Sequence, residues 1–473
     1  MVRKLALALA LVASTSVVLA GTPANAWSPP GTPGATGAGD PYYPLDGNGG
    51  YDVKHYDLAL KYAPATDVLA GAVTIRATAT QRLSAFNLDL DGLTIRSITV
   101  DGRSAKWSRA GTELTVTPRA SLSKGHTFDT RIVYDGVPKV IHDPYLGDGG
   151  AFTTDDGVII LGEPDVAQAW YPSNDHPSDK ASFSIALTVP KDLQAISNGV
   201  PDGRRTSKGW TTWRWEQREP MATYLAMAAI GKFDVKSYEK NGIRFVDAID
   251  PALPPETYAR VAKSFAREPE MLRFLSGYFG PYPFRASGGI VDADGEWDYA
   301  LENQSRPIYT PQDFANQEDG DSVVVHELTH QWYGDSVAVQ NWRDIWLNEG
   351  FATYAEWLWS EHEGLGTVQQ NFDRLYATPA TASLWKAKVA DPGAPNLFIS
   401  AVYNRGAMTL QALRLNVGDK KFFSILRTWA QSQRNGNGST EEFTALAERI
   451  SGKDLSALFT TWLYTPSKPA NPA

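Results

Sequence analysis

Two histidines four residues apart, His326 and His330 in the run His326-Glu327-Leu328-Thr329-His330, are followed after 18 intervening residues by Glu349. On a helix, residues four apart project from nearly the same face, so both imidazoles can reach one ion. Two neutral imidazoles and a carboxylate are the three-ligand set of a catalytic zinc, which leaves a fourth position for water. Glu327 need not be a ligand; a carboxylate there polarises that water and shuttles its proton. The pattern therefore demands two helices held at a fixed separation, and it proposes a hydrolase.

Five residues alone fit an ordinary amphipathic helix almost as well. The surroundings favour the metal. Asp321 to Val325 reads as the start of a helix, with Asp321 as N-cap before Val323-Val324-Val325. Glu349 sits in the apolar, aromatic stretch Trp346 to Trp359. A carboxylate embedded there is costly to bury unless it is paired or bound to a metal.

The chain has 473 residues, enough for two or three domains with proper cores. It contains no cysteine, which excludes disulfides and thiolate metal sites. A net charge of -9 and the lack of a basic stretch argue against nucleic-acid binding. Arg3 and Lys4, the apolar stretch Leu5 to Ala20, and Ala24-Asn25-Ala26 have the order of a cleaved export signal over 1–26. The expected protein is secreted, with no membrane anchor after processing.

A Pro/Gly-rich segment at 27–45 reads as a flexible arm. Over 46–235 apolar residues alternate, as in Tyr56, Leu58, Leu60 and Tyr62, and Asp91-Gly92, Asp101-Gly102 and Asp135-Gly136 supply turn pairs. This predicts an N-terminal antiparallel β sandwich or saddle-shaped sheet. Helical period takes over after Pro254-Pro255, placing a mainly helical domain over 236–464, and the Pro-rich tail 465–473 reads as disordered. The fold class is multidomain α+β.

Beyond the zinc pattern, Tyr299-Ala300-Leu301-Glu302-Asn303 looks like the GAMEN exopeptidase motif of the M1 family of zinc aminopeptidases, in the gluzincin clan. Val402-Tyr403-Asn404-Arg405-Gly406-Ala407 is similar to that family's catalytic-tyrosine segment. Trp170-Tyr171-Pro172 through Lys180-Ala181-Ser182-Phe183, and Gly280-Pro281-Tyr282-Pro283-Phe284, also resemble family segments. The matches are collinear over about 50 to 465. The resemblance implies a thermolysin-like catalytic domain with one Zn2+ per chain, in a short form without the family's helical C-terminal domain, since some 70 residues follow Tyr403. A more open cleft is the expected result.

It also implies roles. His326, His330 and Glu349 would hold the metal, with Glu327 as general base. Glu302, with Glu163 in Gly162-Glu163-Pro164, would clamp the substrate's free α-amino group, so that the distance to the first peptide bond is fixed. Tyr403 would donate to the oxyanion of the tetrahedral intermediate. Asp344 is expected to hydrogen-bond a metal-binding histidine, and Arg405 is either a surface cation or an orienting residue. Tyr299 and Leu301 stand where the family usually has Gly and Met, and Leu161 replaces a commonly polar residue. The expected partners are peptides with a free N-terminus, acted on by a monomer. A zinc endopeptidase, an epoxide hydrolase acting on a lipid, and a non-catalytic binding protein on the same scaffold are the rival readings.

Overall fold

The computed structural model describes residues 31–472. The expected export signal, and residues 27–30 of the expected arm, lie outside them.

Strand Tyr51–Ala63 alternates buried and exposed residues almost without a break, as the sequence period requires. It pairs antiparallel with Val68–Ala79, which pairs with Thr127–Gly136, and that strand with Thr94–Val100. On its other side Tyr51–Ala63 runs parallel to Ala181–Pro190, which pairs with Trp210–Met221. The resulting eight-stranded sheet is therefore mixed, where an antiparallel sandwich or saddle was expected. Alternation has the same period in both directions, so it carries no sign of strand polarity. Asp101-Gly102 is a turn with both residues at positive φ (49° and 69°), whereas Asp135-Gly136 belongs to a strand.

A second, five-stranded sheet includes Val158–Leu161 between Gly147–Thr153 and Ala228–Gly231. All four residues of Val158–Leu161 are buried, and the chain leaves this strand directly into Gly162-Glu163. Strands Asp234–Lys240 and Ile243–Ile249 join short strands at 286–291 and 308–309, so their sheet is built from both sides of the first long helix. The helices are α1 (Pro255–Phe279), α2 (Gln317–His330), α3 (Trp346–His362), α4 (Val368–Tyr376), α5 (Ser400–Val417), α6 (Asp419–Ser432), α7 (Thr440–Ser451) and the short α8 (Ser456–Phe459).

Both ends depart from expectation. Thr32–Pro33 pairs with the strand Leu83–Asp89, and Asp40 accepts hydrogen bonds from the Trp342 backbone N–H (2.8 Å) and lies 3.3 Å from His176 Nε2. Over 31–45 the arm is docked, because its polar groups find partners that its composition does not reveal. In the tail, Pro469 is buried and its carbonyl accepts from the Tyr376 hydroxyl at 2.9 Å. The tail is thus fixed at least to that point.

Candidate active site

Helix α2 begins earlier than expected. Asn316 is its N-cap, accepting from the Asp319 N–H at 2.9 Å. Asp321 lies inside the helix, where its carboxylate accepts from Ser264 Oγ and Arg267 Nη1. Val324, Val325 and Leu328 face the core, which turns His326 and His330 toward α3. Glu349 Oε2 lies 3.3 Å from His326 Nε2 and 3.5 Å from His330 Nε2, and the three donor atoms are mutually within 4.8 Å. Those separations, and the nitrogen and oxygen donors, fit a single tetrahedral zinc. The other ring nitrogens are occupied: His326 Nδ1 faces Glu356 Oε1 at 2.6 Å, and His330 Nδ1 faces the Tyr333 carbonyl at 3.1 Å. Each acceptor holds the proton on Nδ1 and leaves Nε2 free to ligate.

Close helix packing sets the position of Glu349. At the α3–α5 crossing Gly350 and Gly406 meet backbone to backbone; a Cβ on Gly406 would lie 2.8 Å from Gly350 Cα. Glu349 and Tyr403 therefore reach the same cleft from adjacent helices. The Tyr403 ring lies nearly parallel to that of His326, with centroids 6.1 Å apart.

Glu302 is held from two directions. Gln331, the residue after His330, donates Nε2 to the Glu302 carbonyl (3.0 Å) and accepts from the Ser305 N–H (2.6 Å), which bolts this loop to the end of α2. The Tyr224 hydroxyl donates to Glu302 Oε1 at 3.2 Å. Glu163 reaches the same cleft from the β half, with a fully shielded Oε1 that has no hydrogen-bond partner. Burial, then the charge of Glu302, pushes the Glu163 carboxyl well up, and burial likewise raises Glu302. Burial also lifts Glu327 to about 8, against the pull of the two imidazoles. Glu349 behaves differently: although burial opposes it, the imidazoles hold that carboxyl at about 2.

Seven of the residues singled out in the sequence line one cleft of about 510 Å³: Glu163, Glu302, His326, Glu327, His330, Glu349 and Tyr403. A further cavity of about 820 Å³ meets it along Ser322, Glu356, Phe398 and Tyr403. Asp344 does not support a histidine. Its carboxylate accepts from the Thr440 N–H (3.1 Å) and hydroxyl (2.6 Å), because the 3-10 turn Trp342–Asp344 points it at the start of α7. Arg405 is neither a surface cation nor a cleft residue. It is fully buried, and its guanidinium donates to the carbonyls of Trp385, Ala387, Thr461 and Thr465. Sequence reasoning missed Glu356, although it lies seven residues after Glu349, two helical turns along the same face. Tyr224 and Gln331 carry no such signal.

Two family descriptions match the chain: the Peptidase M1 N-terminal domain over residues 52–225 and the Peptidase family M1 domain over 263–462. Aminopeptidase M1-D of Oryza sativa is 28% identical over 64% of this chain and 36% of its own length. Probable aminopeptidase 2 of Sulfurisphaera tokodaii is 26% identical over 81% of this chain and 50% of its own length. The chain thus spans half or less of these curated relatives. Among solved structures, an M1 zinc metallopeptidase variant from Deinococcus radiodurans bound to the substrate Tyr-Ser-Ala superposes with a TM-score of 0.82 at 30% identity. That match covers 92% of this chain and 100% of the other.

Proposed function

Since the chain belongs to the M1 family of zinc metallopeptidases, we propose that it is an aminopeptidase that hydrolyses the first peptide bond of peptides with a free N-terminus. One observation carries this reading: two carboxylates, Glu302 and Glu163, stand at one end of the cleft without a lysine or arginine to neutralise them. Buried like charges are costly unless a cation joins them. A substrate ammonium is that cation, and an endopeptidase has no use for such a clamp. The related metallopeptidase bound to Tyr-Ser-Ala supports the same substrate class.

His326, His330 and Glu349 would hold the zinc, which when bound would supply Lewis acidity toward the scissile carbonyl and an activated water. Glu302 and Glu163 bind the ammonium and fix the distance from the amine to the reacting carbonyl. Glu327 accepts a proton from the attacking water and returns it to the leaving amine. Tyr403 donates its hydroxyl to the developing oxyanion, a contact typically worth about 3–4 kcal/mol of barrier. Glu356 and the Tyr333 carbonyl keep both imidazoles in the ligating tautomer. We further propose export of the protein, on the strength of the signal-like residues 1–26.

The test is a panel of free and N-acetylated aminoacyl reporter substrates, with chelation and zinc restoration. Zinc-restorable hydrolysis confined to the free amines is expected. Turnover of the acetylated substrates at comparable rates would replace this reading with an endopeptidase.

A further inference from the structure

Nine carboxylates and two imidazoles line the cleft, with no lysine or arginine among them. Five carboxylates belong to the machinery described above: Glu163, Glu302, Glu327, Glu349 and Glu356. Two more are engaged in helix capping: Asp313 accepts from the Thr310 N–H at 2.7 Å and Asp319 from Asn316 Nδ2 at 2.6 Å. Asp148 and Asp298 remain, and both lie at the end of the cleft that carries the amine clamp.

These two aspartates flank Tyr299. Asp298 precedes it in sequence, and the Tyr299 hydroxyl donates to the Asp148 carbonyl at 2.9 Å. Asp298 is exposed and has no hydrogen-bond or ion-pair partner among the described residues. Asp148 meets only the exposed His142, Nδ1 to Oδ1 at 2.8 Å, which leaves its second oxygen open. Burial first, then the charges of Glu163, Asp298, Asp148 and Glu302, raise the Tyr299 hydroxyl, so four carboxylates gather around one phenol.

Tyr299, Asp148 and Asp298 line the cleft beside Glu302 and Glu163, so the first side chain of a substrate whose ammonium is held by those two glutamates has Tyr299 within its reach. A lysine or arginine there lays its apolar stem along the ring and brings its charge to the aspartates. A glutamate or aspartate side chain meets like charges on every side. We propose that Asp148 and Asp298, set about Tyr299, select a cationic first side chain, so that peptides beginning with lysine or arginine are the preferred substrates. This rests on the aminopeptidase reading above and specifies its substrate class.

The experiment compares kcat/KM for lysyl, arginyl, norleucyl and glutamyl reporter amides on the full, zinc-loaded protein. Norleucine matches the lysine stem without its charge. The wild type favours lysyl over norleucyl, and glutamyl is the poorest. A partly exposed charge pair of about 1 kcal/mol corresponds to about fivefold, so Asp298→Asn lowers the lysyl-to-norleucyl ratio by about three- to fivefold. Adding Asp148→Asn lowers it further, the loss appears in KM, and molar salt narrows the wild-type ratio. Asp298→Lys raises the glutamyl-to-norleucyl ratio. A wild type that hydrolyses norleucyl as well as lysyl reporter overturns the proposal, as does an unchanged ratio in both asparagine variants. Hydrolysis without cationic preference overturns this proposal alone. Absence of hydrolysis of every free-amine reporter, with zinc bound, overturns the aminopeptidase reading and the selectivity together.

Discussion

Glu356 engages Nδ1 of His326 and so leaves Nε2 as the nitrogen that would face a metal, without itself belonging to the candidate ligand set. Its 2.6 Å contact with Nδ1 is the kind of support whose loss typically weakens metal binding. Glu356→Ala is therefore expected to lower zinc affinity by about 10–100-fold, read by competition against a chromogenic chelator. Glu327→Gln should separate the two functions in the opposite sense, with zinc retained and kcat reduced by about 10²–10⁴-fold. Near-native turnover in that variant would remove Glu327 as the base. At this scale the sequence was informative where chemistry is local: His326, Glu327 and His330 share two turns of one helix. Tyr224 and Gln331 were invisible because their partners, Glu302 and Ser305, lie 78 and 26 residues away. Asp344 misled because proximity in sequence to Glu349 does not fix direction; the intervening turn aims it at Thr440.

Among elements, the α3–α5 crossing is the most exacting. Gly350 and Gly406 let two backbones touch where Glu349 and Tyr403 must converge. In an isolated helix Gly→Ala gains up to about 1 kcal/mol. Here the added methyl meets backbone at 2.8 Å, and neither helix has a flexible side chain to yield. Overpacking of this kind costs about 1–3 kcal/mol, so the clash wins. Gly406→Ala should lower both the thermal midpoint and kcat, measured by calorimetry and steady-state kinetics; a raised midpoint would show that the helices separate freely. Element types were legible from period, as in Tyr51–Ala63 and Pro255–Phe279, because the apolar spacing differs between strand and helix. Starting points were less so. Asp321 has the right chemistry for an N-cap, yet Asn316 performs that role one turn earlier and Asp321 serves Arg267.

Across the molecule, the β half and the helical half are joined through cations, one half-buried and one fully buried, that meet carbonyls. Lys180 Nζ donates to the carbonyls of Asp335, Ser336 and Gly436 at 2.6, 3.0 and 3.2 Å. Arg306, fully buried, donates to those of Val246, Gly199 and Ser197. Lys180→Met keeps much of the side-chain volume but strands three acceptors, and a loss of about 2–3 kcal/mol is expected. Chemical denaturation would show it, and an unaltered midpoint would mean that water replaces the ammonium. None of this assembly follows from composition or period, since a lysine at 180 looks like any surface lysine. The docked arm escaped notice for the same reason: proline and glycine indicate a lack of regular structure, which is different from a lack of partners. The anchoring of Arg405 also bears on how such an enzyme ages. Two residues from Tyr403, it grips the carbonyl of Thr465, only four positions before Pro469. A nick or a substitution that unseated the strand of chain at Thr465 would therefore be felt in the helix that carries Tyr403, so damage far along the sequence reaches the cleft through one guanidinium.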